Sequence, residues 1–122
     1  MATGKLRVLF VCSDNASRSP MAEGWARHLH RDWIEPRSAG IQPGRLDPDA
    51  VRTMDEMGVD ISDHVVQAVN AVAPAAFDYV IVLGPTAGPL PAFPPQTRVI
   101  HHPVEDPAFL AAQAGTRREA LD

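Results

Sequence analysis

The sequence predicts an α/β domain in which helices cover both faces of a parallel β-sheet. Short, almost continuously apolar segments alternate along the chain with segments of helical periodicity, and this pattern is typical of parallel strands that are buried on both sides. The chain has 122 residues, of which 45% are apolar and 21% are charged. This length provides for one domain with one core. We therefore expect residues 1–122 to form a single domain.

The first predicted strand and the first predicted helix enclose a short polar turn. The strand covers Leu6–Val11, and the helix is expected over Arg18–Arg31. Five residues recur at helical spacing and should face the sheet: Ala22, Trp25, Ala26, Leu29 and Trp33. Trp25 and Trp33 are expected to anchor the core. A weaker second strand is predicted over Glu35–Ala39 and should end at the glycine that follows.

The second half of the chain continues the alternation. The pair Asp47–Pro48 is typical of the N-cap and first turn of a helix, and Gly58 is typical of its end. Further strands are predicted over Asp78–Leu83 and Arg98–His101. Residues 84–95 carry five prolines and two glycines, so we expect a loop there, either a rigid surface loop or a substrate lid.

Cys12, the only cysteine of the sequence, directly follows the first predicted strand. The carboxyl ends of parallel strands are where ligands bind in such sheets. Backbone N–H groups at a strand-to-helix turn form a concave anion site, and the planar guanidinium of Arg18 can hold two oxygens of a tetrahedral oxyanion. The same positive potential favours the thiolate form of Cys12, which is the nucleophilic form. The alternative is a small buried hydrophobic residue without a chemical role.

The sequence therefore predicts an oxyanion-binding loop beneath which Cys12 acts as nucleophile. Its members follow one another in the chain: Ser13, Asp14, Asn15, Ala16, Ser17, Arg18 and Ser19.

Composition and charge argue against several other classes of protein. The net charge of −4 disfavours a nucleic-acid partner, and no apolar segment has the length of a membrane span. The residues up to Lys5 are not typical of a signal peptide. A single cysteine allows no intramolecular disulfide and favours a reducing cytoplasm. The adjacent His101 and His102 would point to opposite faces of a strand, and neither has a partner at helical i, i+4 spacing, so we expect no bound metal. We also expect no bound cofactor.

At these motifs the chain resembles the low-molecular-weight protein tyrosine phosphatases and the arsenate reductases that share their fold. The resemblance runs from about residue 6 to residue 110. The residues that match, in the family's order, are Val8–Cys12, Asn15, Arg18–Glu23, Ser38–Gly40, Gly58–Ser62 and Asp78–Ile81. Two further segments are more similar to the reductases, Ala22–Arg27 and Pro103–Ala108. The resemblance implies a four-stranded parallel sheet with helices on both faces.

The resemblance also implies roles for individual residues. Cys12 is the nucleophile, Arg18 holds the oxyanion, Asn15 orients the loop and Ser19 stabilises the thiolate. Asp106 is the general acid that protonates the leaving oxygen, and such an acid contributes about 10²–10⁴-fold to the rate. Because Asp106 follows the last predicted strand, a parallel sheet would bring it to the same edge as Cys12.

The sequence departs from the family pattern within the loop and after the third strand. Asp14 replaces a glycine, and we expect its carboxylate to point to solvent, where it would not repel the anion. Ser17 and Gly84 stand where thioredoxin-coupled reductases have relay cysteines. No thiol relay can form within these 122 residues, so a reductase of this kind requires an external thiol donor, either a small molecule or a redox protein.

Two further departures lie toward the end of the sequence. Ala108 occupies the position at which phosphotyrosine phosphatases carry an aromatic residue, which favours a small inorganic oxyanion over a phenyl ester. The sequence ends at Asp122, so the C-terminal helix is expected to be shorter than in relatives.

Three functions remain open at this point. The leading hypothesis is a cysteine-dependent arsenate reductase that draws its second thiol from a donor. The alternative is a phosphatase that hydrolyses phosphate monoesters through a Cys12 phosphoenzyme. The third is a non-catalytic oxyanion-binding module.

Overall fold

The computed structural model describes residues 5–73, 75–84 and 90–102. The elements follow in the order β1 (Leu6–Cys12), α1 (Arg18–His30), β2 (Ile34–Gly40), α2 (Pro48–Glu56), α3 (Val69–Val72), β3 (Tyr79–Leu83) and β4 (Arg98–His102). Each of the four predicted strands is therefore confirmed, with bounds that differ by at most one residue at either end. The predicted C-terminal helix and Asp106 lie outside the described residues.

The strands form a four-stranded parallel sheet in the order β2-β1-β3-β4. From β1 the chain moves first to β2 on one side and later to β3 on the other, so the order reverses at β1. Cys12 pairs with Gly40 of β2, and Val11 pairs with Val82 of β3. The last residue of β1 therefore lies at the switch point of the sheet, where ligands bind in folds of this class.

Helices cover both faces of the sheet, as predicted. Because neighbouring residues of a strand point to opposite faces, Ser38 and Ala39 of β2 identify the two sides. Ser38 donates a hydrogen bond to Glu23 of α1, so α1 lies on one face. Ala39 belongs to the apolar core that includes Val69 and Val72 of α3, so α3 lies on the other.

The buried face of α1 differs from the prediction. Trp33 is 72% exposed and Leu29 is 61% exposed, so their assignment to the core was wrong. Helix α1 ends at His30, and the helical phase that grouped Trp33 with it no longer applies in the turn. The buried residues of α1 are instead small or polar, namely Ser19, Pro20, Glu23, Gly24 and Ala26. Trp25 is half-buried and packs against a second apolar cluster.

Close packing explains why α1 has a glycine on this face. A Cβ atom at Gly24 would lie 2.6 Å from Ile61 Cγ2 and 3.0 Å from Met54 Cε. Ile61 and Met54 belong to the second cluster, which thus reaches the helix backbone itself.

The predicted caps of α2 are confirmed. The Asp47 carboxylate accepts a hydrogen bond from the Asp49 N–H at 2.9 Å, Pro48 occupies the first turn, and Gly58 follows with φ +83°. None of the helices in the described part of the chain has the length and apolar character needed to cross a membrane.

Candidate active site

The loop between β1 and α1 wraps around the thiol of Cys12, which is buried. The Asn15 N–H donates to Cys12 Sγ at 3.3 Å. Asn15 has φ 56°, a left-handed conformation that asparagine adopts more readily than most residues. Backbone hydrogen bonds join this loop to the segment after β2, through the pairs Gln42 N to Ser13 O, Gly44 N to Asp14 O and Asp47 N to Ala16 O.

Gly40, the last residue of β2, makes room for the loop. A Cβ atom at this position would lie 2.7 Å from the Asp14 carbonyl carbon and 2.8 Å from the Asn15 nitrogen. Both contacts are with backbone, which cannot move aside without displacing the amide that points at the thiol. The backbones of Gly40 and the loop therefore fit together only when position 40 lacks a side chain.

The Ser19 hydroxyl lies between the side-chain amide of Asn15 and the thiol of Cys12. Ser19 Oγ lies 3.0 Å from Cys12 Sγ and accepts a hydrogen bond from Asn15 Nδ2 at 2.8 Å. Because the amide supplies the proton in that second bond, the hydroxyl proton of Ser19 is available for the sulfur. Cys12 Sγ thus has two donors, the Ser19 hydroxyl and the Asn15 N–H, and both stabilise a thiolate.

Asn15 is held on both ends of its side-chain amide. Its Nδ2 donates to Ser19 Oγ and also to Ser38 Oγ at 3.0 Å. Its Oδ1 accepts from the Gln67 N–H at 3.1 Å and lies 2.9 Å from His64 Nε2. All four hydrogen-bonding positions of the amide are therefore occupied, and Nε2 is the protonated nitrogen of His64 in this arrangement.

The buried Glu23 completes this network on the α1 side. Ser38 Oγ donates to Glu23 Oε1 and Arg27 Nη2 donates to Oε2, each at 2.6 Å. His64 Nδ1 lies 3.7 Å from Glu23 Oε1. Burial lowers the pKa of His64 below its usual value; the Glu23 carboxylate opposes this shift and the Arg27 cation adds to it. His64 thus connects the side-chain amide of Asn15 with the ion pair of Glu23 and Arg27.

His64, Gln67, Ser38 and Glu23 received no individual role from the sequence. They come from β2, α1 and the segment before α3, and Gln67 is separated from Asn15 by 52 positions. Ser38 and Glu23 lie within the segments that carried the family resemblance, which is the one signal that pointed to them. His64 and Gln67 follow no local spacing rule that would have singled them out.

Arg18 begins α1 and reaches across the carboxyl edge of the sheet. Its Nη1 donates to the Leu83 carbonyl, at the end of β3, at 3.1 Å. Cys12 and Arg18 are therefore brought to the same edge, as expected for a nucleophile and a cation that binds the oxyanion.

The expectation for Asp14 was wrong. The residue is exposed, but its carboxylate turns back into the loop instead of toward solvent. Asp14 Oδ1 accepts a hydrogen bond from the Ala16 N–H at 3.1 Å and lies 3.9 Å from Cys12 Sγ. The physical reason is that the Ala16 N–H, two residues along the chain, offers the carboxylate a charge-assisted hydrogen bond.

Within residues 5–73, 75–84 and 90–102, no three histidine, cysteine, aspartate or glutamate side chains are grouped so that they could hold a metal ion. The described part of the site offers a thiol, a guanidinium, backbone amides and the Asp14 carboxylate.

Comparison with known proteins places this loop in a family. The family model for low molecular weight phosphotyrosine protein phosphatase matches residues 7–106. Arsenate reductase from Bacillus subtilis is 37% identical over 102 residues, which cover 83% of this chain and 73% of that protein. Arsenate reductase from Bacillus licheniformis is 40% identical over 106 residues, with 85% and 76% covered.

A solved structure shows the same fold. The thioredoxin-dependent arsenate reductase of Corynebacterium glutamicum superimposes with a TM-score of 0.73 at 28% identity, over 99% of this chain and 62% of that one. The chain belongs to the low molecular weight phosphotyrosine protein phosphatase family and is an enzyme of the arsenate reductase or phosphatase type.

Proposed function

We propose that this chain is an arsenate reductase of the cytoplasm in which Cys12 is the nucleophile and an external thiol is the reductant. The observation that carries the proposal is the buried thiol with two hydrogen-bond donors, the Ser19 hydroxyl at 3.0 Å and the Asn15 N–H at 3.3 Å. The arsenate reductases of two Bacillus species, at 37% and 40% identity, support arsenate as the substrate.

In the first step the thiolate attacks arsenic. A bond forms between Cys12 Sγ and arsenic, and an arsenic–oxygen bond breaks. Loop amides and the guanidinium of Arg18 hold the other oxygens and balance their charge. The departing oxygen leaves as water after protonation, and the family resemblance assigns that proton to Asp106.

In the second step an external thiolate attacks Cys12 Sγ. The sulfur–arsenic bond breaks and its electron pair remains on arsenic, so arsenic(V) becomes arsenic(III) and arsenite leaves. Cys12 is left in a mixed disulfide with the donor, and a second donor thiol regenerates it by exchange. No other cysteine occurs in these 122 residues. The thiol that attacks Cys12 and the thiol that resolves the mixed disulfide therefore both come from the donor.

The donor is a thiol compound or a redox protein rather than a bound cofactor. The Corynebacterium glutamicum relative is thioredoxin-dependent, which makes a thioredoxin one class of partner to test. Glutathione-like and mycothiol-like compounds are the others, because a monothiol completes the same exchange when two molecules react in turn.

Arsenate-dependent oxidation of each donor tests the proposal. We expect oxidation with at least one donor class and its loss in Cys12→Ser. Ser62→Ala, which removes a serine hydroxyl bonded to Asp60 outside the loop, is the matched control and should retain the wild-type rate. Absence of arsenate-dependent oxidation with all three donor classes would refute the proposal.

The same loop also suits a phosphatase, and the single cysteine favours this second function. Hydrolysis of a phosphate monoester requires the thiolate, the oxyanion site, an acid and a water, and no second thiol. An aryl phosphate should then give a stoichiometric burst of the phenol that is absent in Cys12→Ser. Burst kinetics without any arsenate-dependent thiol oxidation would select the phosphatase over the reductase.

A further inference from the structure

Asp14 is the residue of the loop whose side chain carries a negative charge, and its Oδ1 lies close to both the thiol of Cys12 and the Ala16 N–H. We infer that the Asp14 carboxylate is an internal competitor of the oxyanion, which the ligand must displace, and that its charge weakens the binding of doubly charged oxyanions more than that of singly charged ones. The inference rests on the proposed function insofar as it takes the Cys12 loop to be the oxyanion site.

The position of one oxygen atom carries the argument. Asp14 Oδ1 lies 3.9 Å from Cys12 Sγ and accepts the Ala16 N–H at 3.1 Å. The central atom of an oxyanion poised for attack lies about 3–3.5 Å from the nucleophile, with its oxygens around it. The carboxylate oxygen therefore stands where an oxygen of the ligand would stand, and it uses an amide that would otherwise bind that ligand.

The carboxylate can leave this position at small cost. Asp14 is exposed, and its described side-chain hydrogen bonds are the two to Ala16 N and Cys12 Sγ. Its backbone is fixed separately, because the Gly44 N–H donates to the Asp14 carbonyl at 2.9 Å. Rotation of the side chain toward solvent thus frees the Ala16 amide without disturbing the loop.

The charge of Asp14 continues to act after this rotation. Coulomb repulsion is proportional to the charge of the ligand, so a dianion is repelled twice as strongly as a monoanion at the same distance. A penalty that weakens binding of a monoanion about 3-fold should therefore weaken binding of a dianion about 10-fold, since the free energies double and the factors are squared.

Isothermal titration at fixed pH and low ionic strength tests this with two tetrahedral probes of permanent charge, sulfate as the dianion and perrhenate as the monoanion. Asp14→Asn removes the charge but keeps an oxygen that can accept the Ala16 N–H. Asp14→Gly removes both. Asp55→Asn on the exposed surface of α2 changes the net charge equally and is the control.

We expect Asp14→Asn to bind sulfate about 10-fold more tightly than wild type and perrhenate about 3-fold more tightly. Asp14→Gly should gain at least as much for both anions, and Asp55→Asn should gain less than 2-fold. A crystal of wild type with sulfate in the loop should show the Asp14 carboxylate moved away from the Ala16 nitrogen.

Sulfate affinities that agree within 2-fold among wild type and both Asp14 variants would overturn the inference, as would bound sulfate with the carboxylate still on Ala16. Equal gains for sulfate and perrhenate would overturn the charge preference. Circular dichroism of each variant checks the fold. These titrations require no turnover, so they separate a failure of this inference from a failure of arsenate reduction: a protein inactive on arsenate can still show the sulfate gain.

Discussion

The Ser19→Ala substitution tests whether the hydrogen-bond network serves the thiolate. In the structure the Ser19 hydroxyl accepts from Asn15 Nδ2 and is thereby directed to Cys12 Sγ, 3.0 Å away. A hydrogen bond to a charged group contributes about 1.5–3 kcal/mol, and about 1.4 kcal/mol corresponds to a factor of ten. Loss of this hydrogen bond should therefore slow the reaction of Cys12 with an alkylating reagent about 10- to 150-fold.

The rate of Cys12 alkylation by iodoacetamide measures this effect, because the thiolate is the reactive form. The chain has one cysteine, so the signal has a single source. Ser62→Ala is again the control and should be alkylated like wild type. If Ser19→Ala reacted as fast as wild type while retaining its fold, the Ser19 hydroxyl would not stabilise the thiolate and the reasoning would be wrong.

Two further predictions concern the support of the loop. Gly40→Ala places a Cβ 2.7–2.8 Å from loop backbone, so sulfate binding should weaken at least 10-fold and the free energy of unfolding should drop by about 1–3 kcal/mol, measured by calorimetry and urea denaturation. His64 has its folded-state pKa lowered from the usual 6.5, chiefly by burial. As the pH falls below that value the unfolded chain takes up a proton at His64 that the folded chain does not, so the free energy of unfolding should decrease. His64→Gln should reduce this decrease, whereas His30→Gln on the exposed end of α1 should not; an unchanged pH dependence in His64→Gln would contradict the assignment.

The fold was predictable because its signals are local and repeated. Each strand is a short apolar segment, and the ends of α2 carry their own capping residues, Asp47 and Gly58. These signals depend on backbone conformation and burial of a few successive residues, which tertiary contacts reinforce rather than reverse. The bounds of all four strands followed from them to within one residue.

The buried face of α1 was less predictable, because it depends on residues outside the helix. Apolar periodicity selected Leu29 and Trp33, yet these side chains are 61% and 72% exposed. The helix instead turns Ser19 and Glu23 inward, because Ser38 and Asn15 supply hydrogen-bond partners there. Such compensation of buried polar groups depends on partners outside the helix, and the apolar periodicity of the helix carries no information about them.

The sequence by itself determined where the loop lies, since Cys12 to Ser19 are contiguous and directly follow the first strand. Residue type and position in this turn predict Cys12 as the nucleophile and Arg18 as the residue that binds the oxyanion. Only the tertiary structure decided how that loop is held and what stands in it. His64 and Gln67 contact Asn15 although about fifty positions separate them from it in the sequence. The Asp14 carboxylate accepts a hydrogen bond from the Ala16 N–H instead of pointing to solvent. The contacts of Asn15 depend on partners that become neighbours only when the chain has folded, and the contact of Asp14 depends on the conformation that residues 14–16 take in the folded loop.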